Sequence, residues 1–169
     1  MSSPVSPTET IVIRGLLEFG RALAEREAGR SDPILTDRTA ANEFLMADDW
    51  AFLAGVIGDY QMPAERAWAV PYELSLRLGE WSVQVVAGSP DRVLSALLGP
   101  PALHRFPTQS ARWIVAGAQR VMEYYGGEAG AVWDDCPNAR ELQARLTEFV
   151  GISQKKAAMA VEILSGQRG

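Results

Sequence analysis

Residues 146–164 read LTEFVGISQKKAAMAVEIL. The stretch predicts a helix, a tight turn and a second helix. The turn holds Gly151, the apolar Ile152 and then Ser153, and Lys155 and Lys156 follow in the first turn of the next helix. A turn this tight needs a residue free of Cβ strain, which glycine supplies. Its N–H can also approach an anion closely. Ser153 is a natural N-cap. The free N–H groups at that helix start, with the positive end of the helix dipole, make an anion site. This is the pattern of a helix-hairpin-helix, and a nucleic-acid phosphate is its natural occupant. Such a contact positions a duplex without reading its sequence. The same residues also fit a plain helix–turn–helix connection inside a core.

A lysine in a first helical turn sits where the dipole disfavours its charge. At Lys155 the neighbouring Lys156 pushes the same way. A lysine held toward its neutral form is a candidate Schiff-base nucleophile. Both lysines equally suit simple phosphate contacts or solvated charges.

The rest of the chain must build the scaffold. Its 169 residues suit one compact domain, or a domain with a piece of another, and an apolar fraction of 47% is enough for a sizeable core. The single cysteine, Cys136, excludes an internal disulfide and a cysteine-held zinc or iron–sulfur site. Residues 1–9 lack the basic start and apolar run of a signal peptide, and no segment approaches a membrane span. A reduced, cytoplasmic setting is expected. The net charge of −5 runs against the basic surface usual in nucleic-acid binders. It is unevenly spread: residues 31–60 carry −5, whereas residues 137–169, which contain the hairpin, carry +2.

Helical spacing of apolar residues predicts an all-α chain. Ser6, Pro7 and Thr8 start a helix over 9–27, with Ile13, Leu16, Leu17 and Leu23 on one face. A loop follows over 31–39. Six further helices are predicted near 49–58, 64–78, 90–98, 109–125, 138–148 and 154–165. The first of these six is apolar nearly all round, which places it centrally in a core. Asp48 and Asp49 cap it, Asn138 with Glu141 has capping-box spacing, and Pro71 is expected to kink or split the 64–78 helix. Trp50, Trp68 and Trp113 are expected in the core. His104, the only histidine, is expected to be a surface or packing residue, and Cys136 an inert thiol. Asp134 and Asp135 read as a solvated turn. The expected division is residues 1–44 as N-terminal helix and linker, then a helical domain over 45–169.

Four stretches together resemble the helix-hairpin-helix DNA glycosylase superfamily, most closely its endonuclease III-type branch. They are the apolar helix from Phe52 to Ile57 leading to Gln61 and Trp68, the long helix from Ala111 to Tyr124-Tyr125-Gly126-Gly127, the helix from Leu142 to Phe149, and the hairpin from Gly151 to Ala157. The likeness covers roughly residues 45–165. Val150 stands where the family usually has proline, and Ser153 where it usually has a second glycine.

The resemblance implies a six-helix barrel closed by the hairpin, with the 9–27 helix belonging to an incomplete second domain. It implies base-excision repair of double-stranded DNA carrying damaged or abasic sites. Lys155 falls on the family's catalytic lysine. Gly151, Ser153, Gln154 and Lys156 fall on the phosphate grip, and Gln61 on a glutamine that fills the gap left by a flipped nucleotide. No cofactor is implied, since the cysteines of the iron–sulfur cluster that some relatives carry have no counterpart here. The family's catalytic aspartate lies further downstream than Gly169. A fragment, a truncated product or half of a split protein is therefore expected, with a second copy or partner chain covering the 9–27 helix. A DNA-binding module without the chemistry and a helical protein-interaction domain are the alternatives.

Overall fold

The computed structural model describes residues 34–168; the predicted 9–27 helix lies outside the described residues. Among the described residues there are nine helices and no strand. They are α1 (Thr39–Ala47), α2 (Asp49–Gly58), α3 (Ala64–Leu78), α4 (Val83–Gly88), α5 (Pro90–Leu98), α6 (Pro107–Tyr124), α7 (Ala131–Asp134), α8 (Ala139–Thr147) and α9 (Gln154–Arg168). The chain is all-α.

Helix α2 is the hub. It packs against α1, α3, α6 and α9. Its sequence explains why: every residue from Trp50 to Gly58 is buried, so no face is left for solvent. Its start is fixed by Asp48, whose carboxylate accepts from the Ala51 N–H at 2.6 Å and from the Trp81 indole at 3.3 Å. Gly55 lets the Trp68 ring lie directly on the helix backbone. A Cβ at Gly55 would come within 2.6 Å of that ring.

Helix α3 keeps its expected bounds and is not split. It runs unbroken from Ala64 to Leu78 with Pro71 inside it. Proline forfeits one backbone hydrogen bond there, but the Pro71 ring is buried in the core, and that burial favours the helical path. Helix α3 ends at Gly79, in the left-handed region at φ 73°, whose N–H donates to Ser75 O at 3.0 Å. Helices α1, α4 and α7 are additions to the six that spacing predicts between 49 and 165.

The caps of the later helices follow the sequence. The Asn138 side chain accepts from the Glu141 N–H at 2.9 Å, and the Ser153 hydroxyl accepts from the Lys156 N–H at 3.2 Å. Helix α9 packs on α8 and reaches back to α2, with Ala157 and Ala160 fully buried on that side. Trp50 and Trp68 are core residues at 3% and 2% exposure, and Trp113 is half-buried against the same cluster.

Gly55→Ala tests the hub. Alanine gains up to about 1 kcal/mol of helix propensity over glycine. Forcing a methyl into a packed ring costs about 1–3 kcal/mol, and Leu45 closes in on the same methyl at 3.5 Å. A net loss of up to about 2 kcal/mol is expected in urea unfolding. A gain would show that Trp68 swings away freely.

Candidate nucleic-acid interface

The hairpin turn is built from α8, the turn and α9. Phe149 and Ile152 are buried and pin the turn from below, while Val150 and Ser153 face outward. Gly151 sits at φ 90°, a conformation that costs other residues energy. Its backbone lies on the Trp113 ring of α6, so a Cβ there would come within 2.6 Å of the ring. Both requirements select glycine. Among the described residues, the backbone N–H groups of Ser153, Gln154 and Lys155 have no acceptor, as expected at a helix start. Ser153, Gln154 and Lys155 are exposed. The Gln154 side chain is drawn sideways, its Oε1 accepting from Gln143 of α8 at 3.2 Å.

The two lysines take different paths. Lys155 points to solvent. Lys156 is turned inward, and its amine donates to Gly151 O at 2.5 Å and to Ile57 O at 2.7 Å. It also lies 5.6 Å from the centre of the Tyr60 ring. Burial pushes the Lys156 amine down to about 8, while the nearby Asp59 carboxylate pulls it upward. Asp59 is itself raised by burial, against the pull of Lys156 and of the Trp68 indole, which donates to it at 3.2 Å. The main cause of the Lys156 shift is burial.

This ammonium caps two orphan carbonyls at once. One belongs to the hairpin turn, the other to the last turn of α2. It therefore fixes the hairpin against the 59–63 loop that carries Gln61. Gln61 is exposed and adopts φ 49°. Among the described residues it is the one non-glycine in the left-handed region, a strain that needs local support. Support comes from 102–106. The Tyr60 hydroxyl donates to Phe106 O at 3.4 Å, and Arg105 reaches Gln61 O at 3.5 Å. Tyr60 stands between the rings of Trp113 and His104, at 4.6 and 4.4 Å.

His104 is a packing residue at 2% exposure. Its Nδ1 accepts from the Phe106 N–H at 2.9 Å, which leaves the proton on Nε2 to donate to Gly58 O at 2.9 Å. Burial holds its pKa below the ordinary histidine value. Cys136 is partly buried with its thiol pushed up by burial. Asp135 is exposed and paired with Arg145 at 2.7 Å.

Gly151, Ser153, Gln154, Lys155 and Gln61 are therefore on neighbouring elements, joined through Lys156, Tyr60 and Trp113. Sequence reasoning missed Asp59 and Tyr60, and read His104 as a surface or packing residue, which it is. The first two flank the α2 terminus in sequence, but only the folded chain shows that they enclose an amine from a residue almost a hundred positions away.

No family model matches this chain, and no curated protein matches it in sequence.

The buried amine has a pH signature. The folded chain releases the Lys156 proton near 8, the unfolded chain near the ordinary 10.5. Between those values the unfolded chain binds more protons, so stability rises with pH. Tyr60, raised by burial from 10.0, reverses the trend at higher pH. Urea unfolding from pH 7 to 10 should show increasing stability above about 8, absent in Lys156→Met. A flat wild-type curve would mean that the carbonyls keep the amine charged throughout.

Proposed function

We propose that this chain is a double-stranded-DNA-binding protein of the base-excision-repair type. The 151–155 turn holds a backbone phosphate, and Lys155 supplies an amine to the sugar of a damaged or abasic nucleotide. The observation that carries this reading is the turn itself. Three unpaired N–H groups open to solvent at the head of a 15-residue helix, and an exposed lysine stands at their rim. Charge-assisted bonds from such donors to phosphate are among the strong ones. Two carboxylates close to the hairpin are already neutralised, Glu148 by Arg120 and Asp135 by Arg145. The strained Gln61 loop on the adjoining element supports a role in filling the space of a displaced nucleotide.

The chemistry follows from the amine. Neutral Lys155 attacks the C1′ aldehyde of an opened abasic sugar, water leaves, and an imine forms. Loss of a C2′ proton then expels the 3′ phosphate and cuts the strand. A second reading, a DNA-binding module that grips without cutting, is favoured by one observation. Among the described residues no carboxylate pairs with Lys155, and Asp59 acts on Lys156 instead.

Borohydride trapping on a duplex with one abasic site tests both. The lyase reading expects a covalent species that Lys155→Ala abolishes. Salt-dependent duplex binding without a trapped species supports the second reading. A trapped species that persists in Lys155→Ala would contradict the assignment of Lys155, and a binding constant independent of salt would contradict both readings.

A further inference from the structure

Three of the clefts in the described surface are lined by arginines. The cleft of about 640 Å³ contains Arg77 and Arg92, but Arg77 is bonded to the Ala96 and Pro101 carbonyls and Arg92 to Glu80. Asp91 also lines it. The cleft of about 380 Å³ sets Arg112 against the same Asp91. The third, of about 490 Å³, lies between Gln61–Arg66 and Ala102–Arg105. Its lining carries Arg66 and Arg105 and no carboxylate. Among the described residues neither guanidinium forms an ion pair. In a chain of net charge −5, two unpaired arginines facing one cleft set it apart from the other two.

The cleft is also held in shape. His104 forms its floor and spends both ring nitrogens on the backbone of 58 and 106. Arg105 is steadied by the Gln61 carbonyl at 3.5 Å and lies over the Phe106 ring, 5.5 Å from its centre. A planar guanidinium braced in this way meets a phosphate bidentately. The Tyr60 and Trp113 rings separate the cleft from the hairpin turn.

We propose that the Arg66–Arg105 cleft is a second phosphodiester site, engaged by the same nucleic acid whose other phosphate lies on the hairpin. The inference rests on the duplex-binding reading above. Gln61 lines the cleft, and the Tyr60 and Trp113 rings lie between the cleft and the hairpin turn, so a nucleic acid held by both sites passes over those rings beside Gln61. The two anchors together fix where the Gln61 side chain meets the helix.

The test is the slope of log K against log salt for a plain duplex, measured for the wild type, Lys155→Ala and Arg66→Gln/Arg105→Gln. Each lost phosphate contact lowers the slope by about 0.9. A fall of about 1 is expected for Lys155→Ala and of about 1.8 for the double variant. All four substituted or neighbouring side chains, Arg66, Arg105, Gln61 and Lys155, are exposed, and unchanged unfolding curves confirm an intact fold. A fall for Lys155→Ala with none for the double variant overturns the cleft and leaves the hairpin. The reverse keeps the cleft and overturns the hairpin. No salt dependence in the wild type overturns both. Titration with inorganic phosphate, followed by the side-chain NMR signals of Arg66 and Arg105, separates the sources. Shifts at millimolar phosphate equal to those produced by duplex would assign the cleft to free phosphate and overturn the polymer site.

Discussion

A single ammonium joins the two halves of the candidate interface. Lys156 reaches from the first turn of α9 to the last turn of α2 and bonds Gly151 O and Ile57 O together. Both acceptors are carbonyls left over by the geometry of the backbone, one by a tight turn and one by a helix end. Without a donor they would be partly buried and unpaired, at a cost of about 1–3 kcal/mol each. The same bond orients Lys155. Consecutive residues on a helix point about 100° apart, so an inward Lys156 sends its predecessor outward.

The amine can be buried because the surroundings suit a cation. Asp59 adds charge, the Tyr60 ring presents its face, and two carbonyls accept. None of these would be in place without the packing of α2. Its wholly buried sequence fixes the helix, Gly55 admits Trp68, and Trp68 holds Asp59 by its indole N–H. The hairpin is set from the other side by Gly151 lying on Trp113. Two glycines under two tryptophans thus determine how far the turn stands from the Gln61 loop.

Much of this architecture is legible in sequence. An all-apolar run with an aspartate before it gives α2 with its observed bounds. Asn138 and Ser153 cap the helices for which their side chains are suited. Helices α4 and α7 escape notice because they are short; α4, for example, is six residues rich in valine, where a helical period has no room to show. Helix α1 is nine residues, as long as α5 and α8, but no side chain caps its start. Pro71 does not split its helix: helix breaking is a local cost, and the ring is buried in the core. The site is half legible. Gly151 and Ser153 announce themselves by turn chemistry, and Gln61 only through the family resemblance. Which of two adjacent lysines faces inward is decided by where the α2 terminus lies, and that is a tertiary fact. The Arg66–Arg105 cleft joins positions 39 residues apart and leaves no local pattern at all.

The central claim is that the turn amides hold a phosphate. Backbone amide NMR during titration with a short duplex reads those groups directly. The claim predicts that the largest shifts fall on the N–H signals of Ser153, Gln154 and Lys155, with Gln61 and Arg105 following. Unmoved turn amides at saturating duplex, or shifts confined to other faces of the protein, would contradict it.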